Sequence, residues 1–490
     1  MNRKLVAVVV SAVLVLATVV PGLAQATDKT FWTNFTLVNL GDGPAAGTVE
    51  YVTTAGGEWG SESFTIDEPG GQAIFRQYAD AGDPGNPDLD DGNGSVVVSA
   101  DQPLGAVVQI LARGQDPTSS GAYSGFEAGD ASFYVPLAAK ELATASGTAN
   151  SQIIVQNTGG DAADVEIELI ASDGTSTYTA DGGSLAPGAS WYYDLAEESD
   201  SNVPDSWYGS AVASTDTAGA SIVVVSNFFT GDAMQTFNAF GASAPGTAWA
   251  VPLFTSRLAN SLSTPIAVQN LSDPPTTIPV GGVTVTCQPD PSLGGAPHVM
   301  SNALPIGHSA SYFFNPVTDM TIPEGFYGAC LVQTTGADVV AFVQMRFVDT
   351  GEAAAYEAMA AGSTKVSVPL VAKRLGNGFA TAVTVQNLSV TSAATVDITY
   401  IPSPDYGGSA TPLEIDDVTI PLGGSLIHNH RITSGSGAVT SMPDGWFGTM
   451  VVESEGQPIN AFVQLTFMSS INPGLPGGDN FMAHNAFTGD

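Results

Sequence analysis

The chain has 490 residues and carries Lys+Arg 12 against Asp+Glu 48, a formal charge of −36, although only 12% of its residues are charged. So few cations, with no basic run among them, exclude an electrostatic footprint for nucleic-acid phosphates and docking on anionic lipid. Hydrophobic residues make up 43%, and 55 Gly with 31 Pro stay below the share at which low-complexity disorder becomes the expectation, so buried cores in several domains are expected.

The first segment reads as an export signal. Arg3 and Lys4 form a cationic start, Leu5 to Val20 is an uncharged apolar run, Pro21-Gly22 breaks it, and Ala24-Gln25-Ala26 is a small-residue cleavage site. The run of 16 residues is shorter than the roughly 20 that a spanning helix needs. Removal of residues 1–26 would start the mature chain near Thr27, giving a secreted product, or one held at the cell surface by non-covalent contacts, with no membrane insertion.

From there the chain repeats itself. A strand ending in Asn recurs at Thr36 to Asn39, Ile154 to Asn157, Ala267 to Asn270 and Thr384 to Asn387, with Asn spacings of 118, 113 and 117 residues. A turn then leads into a strand through Trp207-Tyr208-Gly209, Phe326-Tyr327-Gly328 and Trp446-Phe447-Gly448, with a degenerate first copy at Asp91 to Gly94. Long apolar strands such as Ala341 to Met345 follow, then an aromatic patch, and Val-Pro-Leu opens three copies at Val135, Val251 and Val368. The copies are 27–134, 135–250, 251–367 and 368–490. Each is rich in Val, Thr, Ile and aromatics alternating with period two, separated by Gly, Pro, Asn and Asp, and none shows a helical period.

About eight strand candidates in one copy suggest a two-sheet sandwich. In this the chain resembles the tandem immunoglobulin-like or fibronectin-type modules of bacterial surface proteins, without the Cys, Trp, Cys spacing of antibody domains. The resemblance implies an all-β protein: four tandem immunoglobulin-like β-sandwich domains after a cleaved signal peptide, strung as an extended array.

In the first copy, the acidic loop Asp80 to Asn93 offers Asp88, Asp90 and Asp91 as hard oxygen ligands for calcium; a solvated acidic loop is the alternative. No other cofactor is expected. In the second to fourth copies, Asn157, Asn270 and Asn387 are read as turn residues, and Gly209, Gly328 and Gly448 as turn glycines following aromatic anchors. In the third, Gly307-His308-Ser309-Ala310-Ser311 has the outline of a nucleophile elbow but lacks its second Gly, and siblings at Gly188 to Ser190 and Gly423 to Ser425 mark it as an ordinary turn. Cys287 and Cys330, alone in an exported chain, are expected to form a disulfide. In the fourth, His428 and His430 would share one strand face as a metal site requires, but no third ligand is evident, and a surface or half-buried ring is the competing reading. Lys140, Arg257, Lys373 and Arg374 follow the Val-Pro-Leu elements, either as ion pairs across domain junctions or as solvated strand ends.

No acid, base or nucleophile arrangement distinguishes a cleft, so no enzyme is expected. The architecture suggests a structural or assembly protein of the cell exterior, a filament, sheath or surface-layer component. The alternative is an adhesin or a module binding an extracellular protein or glycan. Four copies have only three Val-Pro-Leu elements, and the count that separates Asn387 from Val368 lands, from Asn39, at residue 20 inside the leader. One terminal domain would then lack an edge strand, which suggests self-association through the terminal domains.

Overall fold

The computed structural model describes residues 10–14, 30–76, 89, 92–112, 117–197 and 202–489. Every regular element among them is a β-strand, and all strand pairs are antiparallel. Each copy is a two-sheet sandwich. In the fourth, one sheet runs in the order Leu413–Ile420, Ala394–Pro402, Trp446–Ser454, Lys365–Lys373, Phe487–Thr488, and the other runs Ser425–Asn429, Phe379–Asn387, Ile459–Phe467, Phe481–Asn485.

The two sheets have different burial patterns for a physical reason. Ala163–Ala171 and Leu413–Ile420, in first sheets, alternate between buried or half-buried and exposed residues, because one face meets water. Leu104–Leu111, Ile222–Thr230 and Phe379–Asn387, in second sheets, are buried along their whole length. A sheet buried on both faces needs a second cover, and the neighbouring copies supply it.

The four copies close into a ring. The last strands of their second sheets, Ser120–Ser124, Ala233–Asn238, Ala353–Glu357 and Phe481–Asn485, are termed axial strands here. The first packs on the second, the second on the third, the third on the fourth, and the fourth on the first. The ring therefore replaces the extended array expected from tandem modules. Its cores are fused: one apolar cluster runs through the first three copies to Phe462 and Phe481 of the fourth, and another joins the fourth copy to Val107, Leu111 and Ala122 of the first. Phe237 lies 4.1 Å from Phe342 across the second seam, and Tyr356 stacks on Phe462 at 4.4 Å across the third.

The strands carrying Val-Pro-Leu, Ser132–Lys140, Ala248–Ser256 and Lys365–Lys373, lead their copies and pack on the second sheet of the next copy around the ring. In the first copy the corresponding place beside Gly94–Ala100 is taken by Val10–Leu14, from the segment read as the export signal. Residues 1–9 and 15–26 of that segment lie outside the described residues.

Two recurrent residues organise each sandwich. The strand-end Asn is buried in all four copies and accepts a backbone N–H two residues on, while its Nδ2 donates to two carbonyls, or three in the case of Asn387; Asn157, for example, reaches Asp161 and Leu185, both at 2.9 Å. It thereby ties the turn after one strand to the end of a strand in the opposite sheet. Gly94, Gly209, Gly328 and Gly448 sit where adjacent strands approach closely: a Cβ there would collide with the carbonyl oxygens of Val52, Ile170, Gln288 and Ile401. Trp207, Phe326 and Trp446 before the last three are buried, whereas Tyr208 is exposed.

Arg257, Lys373 and Arg374, three of the cations after Val-Pro-Leu, are neither ion pairs across junctions nor solvated ends, and Lys140 is buried. Buried Lys373 donates to the Val439 and Met442 carbonyls, both at 2.6 Å, and Arg257 donates to the Pro316, Asp319 and Ile322 carbonyls. Arg374 pairs with Asp444 at 3.1 Å within the same copy. These side chains anchor a loop to the end of the leading strand. Burial lowers the pKa of Lys373, opposed by nearby Asp444.

Candidate functional site

The ring brings four non-identical copies to one axis, where their differences meet. Strand register places Ser124, Asn238, Glu357 and Asn485 at equivalent positions, opposite Val107, Val225, Phe342 and Phe462. They form one hydrogen-bonded circuit. Ser124 Oγ donates to the Asn485 carbonyl at 3.1 Å, and Asn485 Nδ2 donates to Glu357 Oε2 at 3.0 Å. Glu357 Oε1 accepts the Asn238 backbone N–H at 2.5 Å, and Asn238 Nδ2 donates to the Ser124 carbonyl at 2.8 Å. Burial pushes the Glu357 carboxyl up to about 7, against the opposing effect of the Asn238 N–H.

The same four residues line a pocket of about 410 Å³ together with Phe240, Trp249 and Phe487. Asn238 Oδ1 and Asn485 Oδ1 are buried without a hydrogen-bond partner. Two bare amide oxygens and a carboxylate beside aromatic rings suit a guest rich in donors, such as hydroxyl groups or an ammonium.

A second carboxylate lies toward the other end of the axial strands. Asp479 is buried and accepts the N–H of Met234 in the second copy at 2.9 Å, of Ala353 in the third at 3.3 Å, and of Phe481 in its own at 3.2 Å. Ser120 Oγ of the first copy donates to the Asp479 carbonyl at 3.0 Å. One residue thus touches all four copies, and burial holds its carboxyl well above the usual range. None of these axial residues stands out in the sequence. Their spacings from the strand-end Asn differ from copy to copy, and only strand register brings them to one level.

The elbow-like turns have a structural task. The Ser309 carbonyl accepts Ser210 Oγ of the preceding copy at 2.5 Å and Gln269 Nε2 at 3.0 Å. In the same way Ser95 Oγ donates to the Gly188 carbonyl at 3.2 Å and Thr449 Oγ1 to the Gly70 carbonyl at 2.5 Å, whereas at the remaining seam Ser425 Oγ of the turn itself donates to the Pro252 carbonyl of the preceding copy at 2.7 Å. Each seam therefore carries one bond from this turn.

His428 and His430 do not sit at the surface. Both are buried and share the Tyr400 hydroxyl, at 2.6 Å from His428 Nδ1 and 3.0 Å from His430 Nε2, while Thr381 Oγ1 lies 3.2 Å from His430 Nδ1. Burial lowers them to about 4 and about 3, so both rings are neutral near pH 7. With both nitrogens of His430 engaged by protein hydroxyls, the pair is a core polar chain. Register pairs His428 with Val383 as Phe75 pairs with Phe35 and Tyr193 with Ile153.

Cys287 and Cys330 are directly opposed on adjacent strands and joined by a disulfide. Asp88, Asp90 and Asp91 lie outside the described residues. Among the described residues, no group of three or more His, Cys, Asp or Glu side chains is gathered for a metal ion, and no helix is long and apolar enough to cross a membrane.

No protein-family model matches the chain, and no curated protein matches it. Among solved structures, it is similar to Thermotoga maritima 1070 at 14% identity and TM-score 0.19, over 23% of this chain and 95% of that one. It is also similar to a serine-rich repeat protein from Streptococcus agalactiae at 11% identity and TM-score 0.13, over 79% of this chain and 85% of that one. Likenesses this distant assign no activity to the chain.

Proposed function

We propose that this chain is an exported, non-catalytic structural or assembly protein of the cell exterior, in which four sandwiches form a one-chain ring used as a building block. The observation that carries this reading is the fused ring itself: each copy is committed to neighbours on two sides, and buried polar side chains close the axis. Such a unit is stiff, because separating any two copies exposes apolar surface and unpaired polar groups together. Negative-stain electron microscopy of the exported protein at rising concentration tests it. Ordered sheets, filaments or stacked rings support the reading, and isolated rings at every concentration count against it.

A second reading, a glycan- or protein-binding module, is favoured by the axial pocket, where Trp249 and Phe240 accompany the unpaired Asn238 and Asn485 oxygens. Aromatic rings beside bare acceptors match a hydroxyl-rich guest. Binding of soluble glycans that is lost in Trp249→Ala, with the ring intact by scattering, would favour this module over the building block.

A further inference from the structure

We propose that the first sandwich of the mature protein presents a strand-shaped slot along Gly94–Ala100, filled by an apolar, Val-Pro-Leu-like strand donated by a different polypeptide. The inference rests on the export part of the reading above, namely removal of residues 1–26.

Register defines the slot. Val135, Val251 and Val368 pair antiparallel with Ala211, Cys330 and Met450, each two residues after the close-approach Gly of its copy. In the first copy the residue two after Gly94 is Val96, and its partner is Leu14. The leader therefore stands at the register position of the leading strands. Cleavage after Ala26 would take Val10–Leu14 away and leave the hydrogen-bonding edge of Gly94–Ala100 open.

The mature chain cannot refill this place from its own start. Thr27 precedes Asn39 by 12 residues, and the residue 12 before Asn387 is Leu375, already beyond the end of the strand Lys365–Lys373. Only four residues stand between the cleavage site and Phe31, which occupies the position of Phe379. Nor does a second copy have a spare strand, since its three Val-Pro-Leu strands are embedded in their own sheets.

The siblings also define what fits. Val135, Val251 and Val368 are fully buried, and Leu137, Leu253 and Leu370 nearly so. Each leading strand bulges around its Pro and packs on two strands of the next copy, so by the same relation the slot lies against Gly147–Asn157 and Ile222–Thr230 of the second copy. A basic residue follows the first Val by five or six positions, as Lys140, Arg257 and Lys373, and donates to loop carbonyls in the two latter cases. The leader has neither the Pro nor the cation: it reads Leu14-Val15-Leu16 and then Ala17-Thr18-Val19-Val20. A partner strand with both would fit better than the segment it replaces, and its cation suits a chain of net charge −36. Main-chain bonds along an open edge supply affinity, and alternate side-chain pockets supply specificity.

The test uses the exported full-length protein. Intact mass first reads the N-terminus: retention of residues 1–26 overturns the slot together with the processing it rests on. A start near Thr27 leaves the slot to be judged alone. A fluorescent peptide copying residues 363–375 is then titrated by anisotropy, beside the same peptide carrying Val368→Asp. Saturable binding that weakens at least about tenfold with the Asp peptide is expected. A second variant splices residues 363–374 directly before Thr27, which reproduces the spacing of the fourth copy; it should melt several degrees higher and lose peptide binding. Absence of peptide binding to the cleaved chain overturns the proposal. So does a cleaved chain that sediments as a dimer and becomes a monomer on splicing, since a second copy would then fill the slot.

Discussion

Replacing Glu357 by Gln isolates the electrostatics of the axis. The folded carboxyl titrates at about 7 because burial disfavours its charge, whereas the unfolded chain gives it the ordinary value of 4.5. Between those values the folded state holds a proton that the unfolded state has released, so stability falls as pH rises from 4.5 to 7 and is flat above. The gap corresponds to about 3 kcal/mol lost over that window. The amide abolishes the titration, but it also places an NH₂ where an oxygen had accepted from Asn238 N–H or Asn485 Nδ2. Mispairing of that kind costs about 1–3 kcal/mol at every pH. The variant should therefore be the less stable protein at pH 5 and close to the parent at pH 8. Urea unfolding of both proteins at half-unit steps provides the assay, read as the difference between them so that every other titrating group, Asp479 included, cancels. Parallel stability profiles from pH 5 to 8 would refute the reasoning and show that the Glu357 carboxyl is solvated or neutralised in a way that this circuit does not provide.

Three further outcomes follow from the same geometry. Asn387→Ala strands the carbonyls of Ser392, Ile420 and Pro421 and the N–H of Ser389, and should lower unfolding free energy by about 3 kcal/mol in urea titration; a loss below about 0.5 kcal/mol would contradict the clasp. Gly448→Ala drives a Cβ into the Ile401 carbonyl and should cost about 3 kcal/mol, whereas the same change at Gly376, with open space around it, should be nearly silent in calorimetry. Replacing both Cys287 and Cys330 by Ala opens a crosslink spanning 43 residues and should destabilise by about 2–4 kcal/mol, seen as a lower melting temperature that reducing agent no longer changes.

The sandwich class was legible because it depends on local pattern: period-two alternation, turn residues between runs, and a strand-end Asn recurring at fixed spacing. Ring closure was written less openly. Its trace was the loss of alternation in Leu104–Leu111, Val339–Phe347 and Ile459–Phe467, which are apolar nearly throughout. Continuous apolar strands imply cover on both faces, but no periodicity says whether a neighbouring copy, another chain or a ligand supplies it. The cations were misread for a related reason. Sequence places Lys373 at a strand end, where exposure is the ordinary expectation, and only the fold brings the carbonyls of Val439 and Met442 to it. His428 and His430 look like ligands until Tyr400, from the opposite sheet, stands between them.

Joining the copies in one chain matters most at the axis. Four identical subunits around a fourfold axis would have to place the same side chain four times at each level, and four copies of Glu357 or Asp479 would bring four carboxylates together. Like charges held close in a low-dielectric site cannot all ionise, and protonating them would remove the acceptors that hold the neighbouring strands. A single chain escapes that constraint because each copy can diverge on its own. Here the level of Glu357 holds one acid with Ser124, Asn238 and Asn485, and the amide groups turn donors toward the one carboxylate and toward the neighbouring carbonyls. Asp479 gathers N–H groups from three copies, and at its register position the other copies have Thr118, Asp232 and Gly351, so a single further acid stands at that level, with Glu352 of the third copy near enough to raise the Asp479 carboxyl further. Asp232 is more exposed, and its backbone carbonyl accepts Ser119 Oγ at 2.5 Å, so that acid takes part in the seam through its main chain. Divergence is therefore concentrated where the copies meet, while the strand-end Asn and the close-approach Gly, which act within a copy, stay the same in all four. That contrast separates the residues that make a sandwich from those that make the ring.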